Sequence, residues 1–307
     1  MSASAISEPG TTPPATVGTV ELVDDQPTPW RMLHETWAHR GLLPRIGTRV
    51  LVKGTAGAKL GRSWLFLRPT LSIVGLSLLF GAVLDVPSHG VPYLLFLLVG
   101  MIGWMAFERF LWWATRSFDS YRRFADNFDL PLLLIPTAGG CVAAIEVGIV
   151  TLLAGLVTVY FGVVDGRFYL ELGPNLLLSV AGLALAVSFA WGLGMWLSTL
   201  NLKARDVRIV LRYLFTIWLY VTPVIYSTEA LEGVFSLLAT LNPMAAPVLL
   251  FKQGMFGVGS VEPAALAISI CATVVICLSG LWFLTRKAPR YLREDRFVME
   301  DDEEELP

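Results

Sequence analysis

Six long apolar runs constrain this chain more than any other feature. They lie at about Leu65 to Leu84, Pro92 to Trp112, Leu134 to Phe161, Leu176 to Leu197, Val210 to Ile225 and Ala264 to Leu284. Each is close to the ~20 residues that carry a helix across a hydrocarbon core about 30 Å thick, the fifth being short. No water is present in that core to satisfy free backbone N–H and C=O groups, so such runs fold as helices. Charged residues make up only 16% of the 307 positions, against about 25% in soluble domains. The expected fold is therefore an all-α integral membrane protein with six transmembrane helices.

The positions of Lys and Arg orient the spans, because cytoplasmic loops retain cations. The first, third and fifth loops hold only Arg167 and Lys252. The second loop holds Arg116, Arg122 and Arg123, and the fourth holds Lys203, Arg205, Arg208 and Arg212. Arg286, Lys287, Arg290, Arg293 and Arg296 follow the last span. This pattern predicts a multi-pass membrane protein with both termini cytoplasmic. It also decides the apolar segment from Leu231 to Phe256, where a seventh crossing would put the basic C-terminal residues outside. Asn242-Pro243, Pro247 and Lys252 interrupt that segment, so it is expected to form two short re-entrant helices at the outer face between spans five and six.

Four regions result. Residues 1–29 are rich in Ser, Thr, Pro and acids and are expected to be a disordered cytoplasmic tail. Residues 30–62 alternate Trp30, Leu33, Trp37 and Ile46 with Arg31, Arg40, Arg45 and Arg49, which predicts an amphipathic segment lying at the membrane surface, broken near Gly41 to Pro44. Residues 63–285 hold the six spans, and 286–307 form a basic then acidic cytoplasmic tail ending in the run Glu300 to Glu305. The first thirty residues lack the apolar core of a secretory signal, so the first span is expected to direct the chain to the membrane.

Soluble-enzyme chemistry finds no support. His34-Glu35 and His39 are one residue too far apart for a helical zinc motif, since a spacing of five turns the rings about 140° apart. Gly54 to Lys59 resembles a phosphate loop but lacks the adjacent Gly-Lys-Ser/Thr, and no strand precedes it. Cys141, Cys271 and Cys277 lie inside apolar runs as small hydrophobes, without a C-x-x-C pair. No metal or bound cofactor and no nucleic-acid partner is expected on this chain.

Charges inside spans cost about 2.5–3.5 kcal/mol on insertion scales, so each needs a reason. Arg68 and Glu108 are expected either to pair between neighbouring helices or, for Arg68, to reach the interface. Glu146, in the middle third of span three, has no evident partner at its depth; it either faces a polar conduit or is structural. No second buried carboxylate or histidine accompanies it, which argues against a proton-driven pump. Aromatics concentrate in spans two and five. At 3.6-residue spacing Phe215, Trp218 and Tyr226 share one face of span five, while Tyr213, Thr216 and Tyr220 lie on the other, and Trp104 opens a cluster on span two. Helix packing and a ring-lined path for sugars both fit that pattern.

In their order these features resemble the membrane subunit of ABC type-2 exporters, in the branch that moves O-antigen, teichoic acid and related lipid-linked polysaccharides. The matching pieces span about residues 45 to 290. They are Leu60-Gly61 with Trp64 and Arg68-Pro69, Tyr93 to Gly100 with Gly103-Trp104, and Asp129-Leu-Pro131 with Ile135-Pro136. Gly192-Leu-Gly194, Leu200-Asn201, Arg205-Asp206, Thr222-Pro223-Val-Ile-Tyr226 and Leu241-Asn242-Pro243-Met244 follow. Arg68 stands where a neutral polar residue is more usual, and Phe128 to Pro131 lacks the usual basic residue. A narrower resemblance is to actinobacterial exporters of lipid-linked cell-wall galactan.

The resemblance implies a permease subunit that works as a homodimer around a central conduit, with two copies of a separate ATPase subunit carrying ATP and Mg. It implies a polyprenyl-diphosphate-linked polysaccharide as substrate. Arg122, Arg123 and Asp126 would contact the ATPase, and Pro223, Asn242 and Pro243 would belong to an outer gate. Arg45, Arg49, Lys53, Lys59 and Arg62 would meet the lipid diphosphate, and Phe215, Trp218, Tyr226, Tyr220 and Trp104 would line the conduit. Three alternatives remain: an ABC type-2 permease for a drug or lipid, a membrane-embedded polyprenyl-phosphate sugar transferase, and an ion-coupled transporter. The transferase would need clustered interfacial carboxylates, whereas Asp119, Asp126, Asp129 and Asp206 are spread beside arginines. Ion-coupled transport is disfavoured by the scarcity of buried ionisable groups.

Overall fold

The computed structural model describes residues 28–54, 63–121, 131–171, 173–228 and 231–304. Every regular element among them is helical. Two short helices open the chain, α1 (Pro29–Ala38) and α2 (Leu43–Gly54), separated by a 3-10 turn at Arg40–Leu42. Then come α3 (Trp64–Ser77), extended by a π-helical stretch at Leu78–Val83, and α4 (Tyr93–Thr115) with the short α5 (Ser117–Tyr121). The remainder is α6 (Leu134–Val164), α7 (Leu176–Lys203), α8 (Val207–Val221), α9 (Val234–Leu241), α10 (Ala245–Phe256) and α11 (Pro263–Glu304).

Among the described residues, five helices are long and apolar enough to cross a bilayer: Trp64–Val83, Tyr93–Thr115, Leu134–Val164, Leu176–Lys203 and Pro263–Leu292. An integral membrane protein is the architecture that uses such helices. The pair α9 and α10 also passes on composition, but it is bent by 88°. The fifth apolar run departs from its expected form. It is helical only to Val221, and α8 has 15 residues, or roughly 22 Å at 1.5 Å per residue. The cause is local. Pro clashes with a helical residue before it, and Thr222 is accordingly extended, at φ −88° and ψ 137°.

The buried axis is α4. Leu95, Leu97, Leu98, Val99, Phe107 and Leu111 are fully enclosed, as expected of a helix that is apolar all round. α6 and α7 pack along it, α10 and α11 pack on α7, and α3 stays largely exposed at the edge. Small residues permit the closest approach. A Cβ at Gly139 on α6 would fall 2.6 Å from the backbone nitrogen of Ala114 on α4. Indole N–H groups tie the bundle where an unpaired donor would be costly: Trp191 donates to Thr137 at 2.9 Å and Trp196 to Ser279 at 3.1 Å.

At the chain ends, α1 seats Met32 against Phe118, Leu133, Ile135, Met195 and Leu284, while Trp30 and Trp37 remain exposed. α11 does not stop where its apolar stretch ends but continues as one helix to Glu304. From Thr285 on the sequence carries Arg, Lys, Glu and Leu without glycine, which favours helix despite Pro289.

Candidate functional site

The break after α8 is held from several sides. Asn242, at the bend between α9 and α10, accepts from Trp218 Nε1 at 2.9 Å and donates to Thr222 Oγ1 at 2.9 Å. Its Oδ1 also accepts from the Met244 backbone N–H at 3.0 Å, an Asx-type turn that leads into α10. Lys252, wholly inside on α10, donates to the carbonyls of Pro223 at 2.9 Å and Val224 at 2.7 Å. Those carbonyls have lost their helical partners at the break and are satisfied by the ammonium instead. The Lys252 ammonium also sits 3.7 Å from the centre of the Phe96 ring, a cation–π contact. Space for it exists because position 100 is glycine; a Cβ there would lie 2.6 Å from Lys252 Cε. Tyr93 donates to the Ile225 carbonyl at 2.7 Å, and Tyr226 donates back to the carbonyls of Tyr220 and Val221.

Pro223, Asn242 and Pro243 thus meet in one polar knot, which also contains Lys252, Tyr93 and Thr222. By sequence Lys252 counts as an outer-loop cation; in the structure it is buried on α10. Its signal was a lone charge inside an apolar helix, a cost that demands a partner.

The aromatic residues divide. Trp104, Phe107, Phe189, Phe215 and Trp218 form an interior cluster of edge and stacked contacts with ring centres 5.1–6.4 Å apart. Trp104 and Phe215 are buried. The other side of α8 is open, with Tyr213 and Tyr220 exposed together with Ile209, Leu214 and Ile217.

Glu146 has partners after all. Its carboxylate accepts from Trp113 Nε1 at 3.2 Å and lies 3.8 Å from Arg109 Nε, both on α4. Helix spacing alone did not reveal that α6 turns Glu146 onto α4. The expected pairing of Arg68 with Glu108 does not form: the Arg68 guanidinium stands over its own helix's Trp64 ring at 5.6 Å, and no ion pair joins it to Glu108 among the described residues.

At the opposite end of α4 from the knot, cations gather where α8 begins. Arg208 pairs with Asp119 of α5 at 2.8 Å, and Asn201 donates to the same carboxylate at 3.5 Å. Arg116 lies over the rings of Trp112 at 5.3 Å and Trp113 at 5.9 Å, while Arg212 approaches Trp112 at 5.7 Å. Burial, with the like charges of Arg208 and Arg212, holds the Arg116 guanidinium below its usual basicity, and Asp119 acts in the opposite direction.

Of the other nominated residues, Arg45 is exposed on α2. Arg49 and Lys53 ride on α2, but their side chains, with Lys59, Arg62, Arg122, Arg123 and Asp126, lie outside the described residues.

No family model matches the chain. Curated relatives do. The chain is 26% identical over 251 residues to the O-antigen export system permease protein RfbA of Myxococcus xanthus, covering 81% of this chain and 92% of that protein. It is 24% identical over 240 residues to a protein of the same name from Klebsiella pneumoniae, covering 75% and 86%. A further Klebsiella pneumoniae protein of that name is 26% identical over 105 residues, 34% of this chain and 40% of that protein. The chain is thus similar over most of its length to permease proteins of O-antigen export systems.

Proposed function

We propose that this chain is the membrane permease subunit of an ATP-driven ABC type-2 exporter, moving a polyprenyl-diphosphate-linked polysaccharide from the cytoplasmic to the outer face of a bacterial cell membrane. The observation that carries this reading is near full-length similarity to O-antigen export permeases, joined to five long apolar helices and a bent apolar pair. α8 acts as a short sixth span, and both termini face the cytoplasm. Two copies surround a conduit, and two copies of a separate ATPase, holding ATP and Mg, dock on the side that carries α5. The knot at Pro223, Asn242 and Pro243 belongs to the outer gate. O-antigen, teichoic acid and cell-wall galactan are the glycan classes to test.

Depletion of the protein tests the proposal directly. Lipid-linked polymer is expected to accumulate on the cytoplasmic leaflet, and an ABC ATPase subunit is expected to co-purify with the tagged chain. Unchanged glycan pools, or a chain that purifies without an ATPase, would overturn it.

A further inference from the structure

We propose that Arg116, Arg208 and Arg212, grouped where α4 ends and α8 begins, form a binding site for a phosphate-ester anion at the membrane–water boundary.

Three guanidiniums converge there, and among the described residues one carboxylate, Asp119, is paired with them. That carboxylate is engaged by Arg208. Arg116 and Arg212 instead flank a single indole: both guanidinium carbons lie within 6 Å of the Trp112 ring centre. Ring contact holds a guanidinium in place without consuming its N–H edge. Each arginine carries five donors in a planar fork that matches phosphate oxygens in pairs. Among the described residues neither Arg116 nor Arg212 spends those donors on an ion pair or a side-chain hydrogen bond. Like charges held this close repel, and an anion between them reverses the sign of that interaction. The helix ends offset one another, α8 presenting its positive start and α4 its negative finish, so the arginines decide the net field.

Depth selects the ligand class. Trp112 and Trp113 are half-buried at the end of an apolar helix, the position of interfacial indoles at headgroup level. Arg205 and Asp206, just ahead of α8, are exposed. A phosphate or diphosphate on a lipid reaches that depth with its chain still in the bilayer. Only the site's assignment to a carried prenyl diphosphate rests on the export reading.

The test uses the full-length chain with its co-purifying partners in phosphatidylcholine nanodiscs and radiolabelled farnesyl diphosphate as probe. Saturable binding is expected, weakened at least about tenfold in the double variant Arg116→Gln/Arg212→Gln. Asp119→Asn is expected to tighten binding severalfold by freeing Arg208, a gain that a folding defect does not mimic. Arg286→Gln removes a guanidinium stacked elsewhere, on Trp282, and is expected to leave binding unchanged. Competition by phosphatidylglycerol identifies a bilayer headgroup as occupant, competition by pyrophosphate alone a free anion, and resistance to both a prenyl diphosphate; each supports the anion site. Affinities within about twofold of the parent in both the double variant and Asp119→Asn would overturn it. Failure here with glycan still accumulating on depletion removes the site and leaves export standing, and binding without accumulation does the reverse.

Discussion

Lys252 on α10 holds the Val224 carbonyl at 2.7 Å, joining the second arm of a bent helical pair to the broken end of α8. The neighbouring Pro223 carbonyl is held by the same ammonium. A break that would otherwise leave two buried acceptors unpaired is closed by a residue 28 positions away.

Replacing that ammonium should be costly. Lys252→Met keeps the length of the side chain and leaves both carbonyls unsatisfied, at about 1–3 kcal/mol for each. A lowered unfolding midpoint and lost export are expected. Gly100→Ala should act in the same direction, because its Cβ would meet Lys252 Cε at 2.6 Å and the Val224 carbonyl at 2.8 Å. Thermal melts of the reconstituted protein check both.

Asn242 serves Trp218, Thr222 and Met244 at once. Asn242→Ala is expected to destabilise the protein by about 1–3 kcal/mol. Protease sensitivity should rise first between α9 and α10. A variant with unchanged cleavage kinetics would show that Pro243 and packing hold the bend alone.

The two faces of α8 should separate packing from transport. Phe215→Ala and Trp218→Ala empty an interior ring cluster and are expected to cost about 3–5 kcal/mol, reducing the amount of folded protein. Tyr213→Ala and Tyr220→Ala fall on the open face and should leave stability unchanged. If that face borders the conduit, export per molecule falls in the tyrosine variants alone. Quantifying surface glycan against the level of folded permease distinguishes the two effects.

Asp119 and Arg208 connect α5 to the start of α8. Both are partly exposed, so breaking the pair should cost less than about 1 kcal/mol. The effect is expected instead in transport-stimulated ATP hydrolysis by the partner subunit. Either Asp119→Arg or Arg208→Asp lowers it, and the double exchange restores it in part. Equal hydrolysis in all three variants would remove α5 from the coupling path.

Glu146→Gln preserves an acceptor for Trp113 and removes the charge facing Arg109. Export is expected to persist in Glu146→Gln and to fall in Glu146→Ala, which empties the contact. Abolished export in the Gln variant with normal folding would point to a protonation role.

Much of the architecture was legible because membrane folding is governed by short-range rules. A run of apolar residues near span length must be helical, and Asn242-Pro243 breaks such a run whatever surrounds it. The split of α8 into a Phe215/Trp218 face and a Tyr213/Tyr220 face follows from the 3.6-residue period. The period does not say which face is covered. The face of Phe215 and Trp218 packs on rings of α4 and α7, with Phe215 buried and Trp218 half-buried. Glu146 looked solitary because Arg109 and Trp113 are 33 or more positions away along the chain, and only the packing of α6 on α4 brings them together.

By itself the sequence determined the membrane class, the helical runs and the bend at Asn242-Pro243, since each depends on hydrophobicity and backbone sterics within a few residues. Tertiary structure alone decided the partners of the polar groups. Lys252 as a clamp on Val224, Glu146 facing Arg109, and Arg212 over Trp112 all join separate segments. Their positions follow from how helices rotate and cross when α4 is buried, and no local spacing encodes that.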